Sequence, residues 1–198
     1  MLYKRREIFK RLEVNIAKFF SMFGLTPNMW SSLSLLFILL TFYFLLKKSF
    51  LIALIFFSIA SFIDVIDGAV ARYRKMVTKK GAYIDTIIDR FVEFIVILGL
   101  FFVDYPKFIL DSKVWLITLL FGSMMTTYVK ASAFEKKIVK KEIKGGILER
   151  AERLILIFLI ILLSNFSLEY ACYLIALTAF LSIVSVFQRI SIVFEYLD

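Results

Sequence analysis

Apolar residues fall along this chain in one short amphipathic stretch and six longer runs. Between Glu7 and Phe23, the residues Ile8, Leu12, Ile16, Phe19, Phe20 and Phe23 recur at helical spacing with Lys10, Arg11 and Lys18 between them. That is the pattern of a helix lying in a membrane interface. The six runs predict helices over about Asn28 to Leu46, Phe50 to Tyr73, Ala82 to Val103, Val114 to Ala133, Ile147 to Leu163 and Glu169 to Val193. Pro27 suits the first turn of the first helix, and Lys47-Lys48 ends it. Three of the runs are charged at one end. The second is apolar to Ile63 and then takes on Asp64, Asp67 and Arg72, and the third carries Asp85, Asp89, Arg90 and Glu93 in its first half. The fifth opens with Glu149, Arg150, Glu152 and Arg153, leaving only Leu154 to Leu163 uninterrupted. That remainder is too short to cross a bilayer alone, so its polar first turns must lie against protein or in a cavity.

The pattern therefore predicts an all-α integral membrane protein with one domain over residues 1–198. Residues 1–25 form the N-terminal amphipathic interfacial helix, and residues 28–193 form a bundle of six transmembrane helices. Composition agrees: 61% of the 198 residues are hydrophobic and 17% aromatic, too many for an ordinary soluble domain. The basic N-terminal stretch has no short apolar core and no small-residue cleavage site, so no cleavable signal peptide is expected. With the N-terminus inside, six spans place 21 of the 25 lysines and arginines inside and only Lys47, Lys48, Lys107 and Lys113 outside. The positive-inside rule then puts both termini on the cytoplasmic face of the cell membrane. The same orientation gathers every charge at membrane depth in the cytoplasmic half, as expected for a wet cavity open to the cytosol. The lysines at 136, 137, 140, 141 and 144 are expected to meet anionic head groups of membrane lipids. No nucleic-acid partner is expected.

Four aspartates carry the candidate chemistry. Asp64 and Asp67 are three residues apart, and Asp85 and Asp89 four apart, so each pair shares one helical face. The two helices are joined by a short basic turn and can face one another. Crowded carboxylates repel, and protonation or divalent cations relieve them. An all-oxygen site suits Mg2+, Mn2+ or Ca2+, and a two-metal site suits phosphoryl transfer. Histidine is absent, so a general base has to be a carboxylate, a lysine, a tyrosine or water. The single cysteine, Cys172, cannot form an intrachain disulfide. Gly68 lets a ligand approach the backbone beside Asp67, and Arg72 offers a guanidinium fork for phosphate.

In order, Asp64, Asp67, Gly68, Ala71, Arg72, Gly81, Asp85 and Asp89 spell D-x2-D-G-x2-A-R-x8-G-x3-D-x3-D, which resembles the signature of the CDP-alcohol phosphotransferases at full spacing. The resemblance implies attack by an alcohol on the β-phosphorus of a CDP-lipid with release of CMP. It assigns Asp64, Asp67 and Asp85 as ligands of two Mg2+ ions, with Mn2+ as the substitute, and makes Asp89 both a ligand and the base. It implies contacts to the CDP moiety from Gly68, Arg72 and Thr78 and from Asn28, Met29, Trp30 and Ser31. Thr78 also reads as a turn residue, and Asn28 as a helix cap. The segments at Thr126 to Lys130, Gly145 to Leu154 and Gln188-Arg189 resemble the subgroup that transfers to inositol phosphate, although bacterial members tend to carry arginine where this chain has Ser132. Lys130, Arg153 and Arg189 would then converge on the acceptor's phosphate, with Thr127 as a hydrogen-bond partner and Arg150 as a second candidate. The alternative for this region is a salt-bridged helix start, pairing Glu149 with Arg153.

The implied partners are CDP-archaeol or CDP-diacylglycerol, inositol 1-phosphate and a second copy of the chain. Glycerol 3-phosphate or serine are the rival acceptors. A divalent-cation transporter is the rival of another class, since intramembrane carboxylates also line ion paths.

Overall fold

The computed structural model describes residues 14–24, 27–139 and 145–197, with the backbone alone at positions 27 and 28. The described residues form helices and no strand. A short helix, α1 (residues 14–21), is followed by α2 (Pro27–Leu46), α3 (Phe50–Tyr73), α4 (Lys79–Phe101), α5 (Ser112–Glu135), α6 (Arg150–Ser164) and α7 (Leu168–Phe194). Four of them, α2, α3, α5 and α7, are long and apolar enough to cross a membrane. The expected six are reduced to four on this criterion for two reasons. Charges in the first half of α4 dilute its apolar stretch, and α6, with 15 residues, is only about 22 Å long. Residues 7–13 of the expected interfacial helix, and the lysines at 140, 141 and 144, lie outside the described residues.

The helix ends follow from local chemistry. The side chain of Thr78 caps α4 by accepting the Gly81 N–H at 3.0 Å, and Asp111 caps α5 by accepting that of Lys113 at 2.8 Å. The α3 end closes with Met76 N–H on the Ala71 carbonyl at 2.9 Å, with Lys75 in the left-handed region. Between α5 and α6, Gly145 and Gly146 adopt φ of 127° and 113°, a conformation that side chains disfavour. Three bonds from α7 then fix this loop: Gln188 Oε1 accepts the Ile147 N–H and Ser185 Oγ that of Leu148, each at 2.8 Å, while Arg189 Nε donates to the Gly145 carbonyl at 3.0 Å. The GGILER segment is thereby placed by the QR segment.

The principal packing pairs close a ring: α2 on α3, α3 on α6, α6 on α7, α7 on α5, α5 on α4 and α4 on α2. Its centre is apolar, with Phe57, Ile97, Leu100, Leu116, Ile157 and Ile175 buried among their neighbours. Large apolar side chains such as Leu36, Ile55, Ile117, Phe121, Leu177 and Phe180 point outward, as expected where lipid is the solvent. The described part of α1 docks through Ile16 and Phe20 on Trp30, Ile63, Ile66 and Val70 of α2 and α3. At the other end of the bundle, Lys48 donates to Asp104 at 2.7 Å, and this bond holds the Asp104 carboxyl below the usual carboxylate range.

Helices α5 and α7 approach closely at Gly122. A Cβ there would stand 2.9 Å from Ser182 Cβ and 3.2 Å from the Ser182 backbone carbon, so the two helices would have to part. Gly122→Ala is expected to destabilise the detergent-solubilised protein by about 1–3 kcal/mol, read as a lower midpoint of thermal unfolding. An unchanged midpoint would mean that the seam is looser than described.

Candidate active site

The turn between α3 and α4 brings the two aspartate pairs together. Arg74, just past the end of α3, donates to the Ser21 carbonyl at the end of α1, and four residues later Thr78 starts α4. One carboxylate oxygen from each of Asp64, Asp67 and Asp85 lies within 4.8 Å of the others. Asp67 is 5% exposed, and its Oδ2 accepts the hydroxyl of Ser31 at 2.7 Å, which ties α2 to the cluster. An all-oxygen donor set drawn together in this way, with one member buried, suits a divalent cation.

Asp89 stands apart from these three. Its Oδ1 is 2.6 Å from Arg150 Nη2, an ion pair without hydrogen-bond alignment. The same guanidinium donates from Nη1 to Asp64 Oδ2 at 3.0 Å and from Nη2 to Asp64 Oδ1 at 3.2 Å. Arg150, at the start of α6, therefore joins Asp64 of α3 to Asp89 of α4. One turn further along both helices, Arg153 Nη2 donates to Glu93 Oε1 at 2.9 Å, so α4 and α6 are linked by two successive rungs. Arg153 is thus paired with Glu93 and not with Glu149, whose Oε1 accepts the Gly145 N–H at 3.3 Å.

A cavity of roughly 500 Å³ opens beside the cluster, lined by Asp67 and Asp85 and by Ser31, Gly68, Arg72 and Thr78. The guanidinium of Arg72 folds over Gly68, where a Cβ would come within 3.3 Å of Nη1. Of the other residues expected on the nucleotide, Met29 is exposed. Trp30 is buried against Phe20 and Phe23, with ring centroids 5.5 Å and 6.4 Å away. The side chain of Asn28 lies outside the described residues. On α5, Thr127 and Lys130 are half-buried. Arg189 of α7 is buried, and its Nη1 donates to the Thr126 carbonyl at 2.7 Å, one residue from Thr127.

Sequence reading missed what Arg150 and Glu93 do. The i,i+4 run Asp85, Asp89, Glu93 along one face of α4 was the available signal, because a third carboxylate on that face at membrane depth needs a partner.

Comparison with known proteins is consistent with this geometry. The sequence profile described as CDP-alcohol phosphatidyltransferase matches residues 24–186. The archaetidylinositol phosphate synthase of Pyrococcus horikoshii is 29% identical over 190 residues, covering 93% of each chain. The crystal structure of Mycobacterium tuberculosis phosphatidylinositol phosphate synthase with CDP-DAG bound superposes with a TM-score of 0.78 at 25% identity, covering 92% of this chain and 94% of that one. The same enzyme in complex with manganese and citrate superposes with a TM-score of 0.78 at 24% identity, over 92% and 88% of the two chains, and speaks to the fold.

The three-carboxylate cluster makes a testable statement about ions. Asp85→Asn exchanges one carboxylate for a neutral, weaker amide ligand and is expected to weaken Mn2+ binding by about tenfold or more, measured by electron paramagnetic resonance of free Mn2+ at constant protein. Undiminished affinity would place the ion elsewhere.

Proposed function

Because the chain belongs to the CDP-alcohol phosphatidyltransferase family, we propose that it transfers the phosphatidyl-type group of a CDP-lipid to the hydroxyl of inositol 1-phosphate and releases CMP. The observation that carries this reading is the meeting of three carboxylates within 4.8 Å at the wall of a cavity that also presents Arg72. A diphosphate needs both a divalent-ion site and a cation, and it finds them there side by side. The likeness over nearly the full length to an archaetidylinositol phosphate synthase supports the acceptor and favours an archaeol-type lipid; diacylglycerol is the other tail.

In the proposed mechanism, Ser31, Gly68, Arg72 and Thr78 hold the CDP moiety, with the start of α2 beside them. Asp64, Asp67, Asp85 and Asp89 would hold two Mg2+ ions, whose charge offsets that of the diphosphate and of departing CMP. Asp89 takes the proton of the acceptor hydroxyl as it attacks the β-phosphorus. Arg150 stands between Asp64 and Asp89 and fixes the direction in which Asp89 points. Thr127 and Lys130 of α5, Arg150 and Arg153 of α6 and Arg189 of α7 would receive the acceptor's phosphate.

We further propose that α4 and α6 cross the membrane with the four apolar helices, giving six spans. Both termini and the site then face the cytoplasm, and the enzyme is a homodimer in the cell membrane. A transporter reading leaves Arg72, Gly68 and the capped turn at Thr78 without a purpose.

Purified protein supplied with Mg2+ and a CDP-lipid is expected to release CMP with inositol 1-phosphate and not with glycerol 3-phosphate or serine. Chelation of divalent ions should abolish release, and Asp89→Asn should slow it by about 10²- to 10⁴-fold. Release with another acceptor would keep the site and discard the acceptor; no release with any would favour ion transport.

A further inference from the structure

Glu93 has no part in the mechanism above, yet it is fully buried at the meeting point of three helices. Its Oε1 accepts from Arg153 of α6 at 2.9 Å, and its Oε2 from Arg90 of α4 at 3.2 Å. The hydroxyl of Ser123 on α5 also donates to Oε2, and Arg90 Nη1 reaches the Ser123 carbonyl at 3.4 Å. One carboxylate therefore serves two guanidinium groups. Both of its oxygens are taken by protein donors, so it offers no group to substrate.

Arg153 is the informative partner. It is 1% exposed, and while Nη2 is engaged by Glu93, its Nε and Nη1 have no hydrogen-bond partner. A buried guanidinium with one edge bonded and the rest unspent is costly unless an anion completes it. The rung from Glu93 to Arg153 lies one turn from the rung that joins Asp89 to Arg150, so Arg153 stands one helical turn from the base of the proposed reaction.

We propose that Glu93 is a positioning residue of the acceptor site. It grips one edge of Arg153, braces itself on Arg90 and Ser123, and so sets the unused edge of Arg153 toward the acceptor's phosphate. The inference rests on the reading of the acceptor as a phosphorylated alcohol. If Glu93 merely offset two buried cations, its replacement would lower stability and disturb both substrates alike.

The test is a comparison of KM values for the two substrates in Glu93→Gln, which keeps the shape and loses the charge. The KM for inositol 1-phosphate is expected to rise about tenfold or more, while that for the CDP-lipid changes by less than about twofold. Glu93→Asp, which keeps the charge on a shorter stem, should recover part of the loss. In parallel, inositol 1-phosphate should raise the thermal midpoint of the wild type and not of Glu93→Gln, whereas Mn2+ with CDP-lipid should raise both. Equal changes in the two KM values, or an unchanged or lower KM for the acceptor, would overturn the proposal. If Glu93→Gln does not accumulate, Arg90→Met removes the other ion pair and must show the same split. Should the wild type use glycerol 3-phosphate instead, the identity of the acceptor falls and the split is read with that substrate. Turnover with serine alone would end both readings.

Discussion

Carboxylates inside an apolar bundle persist only with partners, and here one guanidinium answers for two of them. A charge at the centre of a bilayer costs about 2.5 to 3.5 kcal/mol even on lenient scales. The ion pairs of Arg150 with Asp64 and Asp89 span α3, α4 and α6. Much of the remaining structure can be understood as what is needed to hold that guanidinium in place. The short helix α6 begins at Arg150, and the turn before it is fixed by Ser185, Gln188 and Arg189 of α7. Two glycines with positive φ allow the chain to enter α6 from the required direction.

The ring of helices then divides into two unlike ends. At one end, charge is dense: Asp67, Glu93, Arg153 and Arg189 are buried, Asp64, Asp89, Arg90 and Arg150 half-buried and Asp85 exposed, and they are drawn from four of the six helices of the ring. At the other end, the exposed pair of Lys48 with Asp104 and the buried bond between Tyr105 and Ser164 at 2.8 Å are modest links over an apolar core. Such polarity fits a site served from one side of a membrane, with lipid against the outward-facing phenylalanines and leucines. It also explains why the first half of α4 and the first turn of α6 are charged: they carry the groups that face one another.

Buried ion pairs are weak evidence for stability, because desolvation can exceed the attraction between the charges. The two rungs between α4 and α6 are better read as devices of geometry. In the proposed mechanism they would hold the Asp89 base and the phosphate-binding edge of Arg153 at fixed places on adjacent turns, and long flexible side chains do this only when their partners are themselves enclosed. Glu93, gripped by groups from three helices, meets that condition.

By itself, the sequence determined the class of the fold and much of its layout. The predicted second helix agrees with α3 at both ends, and the other boundaries are within a few residues, because apolar runs and their breakers act locally. The aspartate pattern was legible for the same reason, since all eight signature positions lie on two helices consecutive in the chain. Tertiary structure alone decided which charges meet. Arg150 is 86 residues from Asp64, and Arg153 is 60 from Glu93. The local rule for ion pairs on a helix pointed instead to Glu149 as the partner of Arg153. No periodicity carries that information, because a guanidinium reaches across a bundle according to how the helices pack and where a loop lets one of them begin.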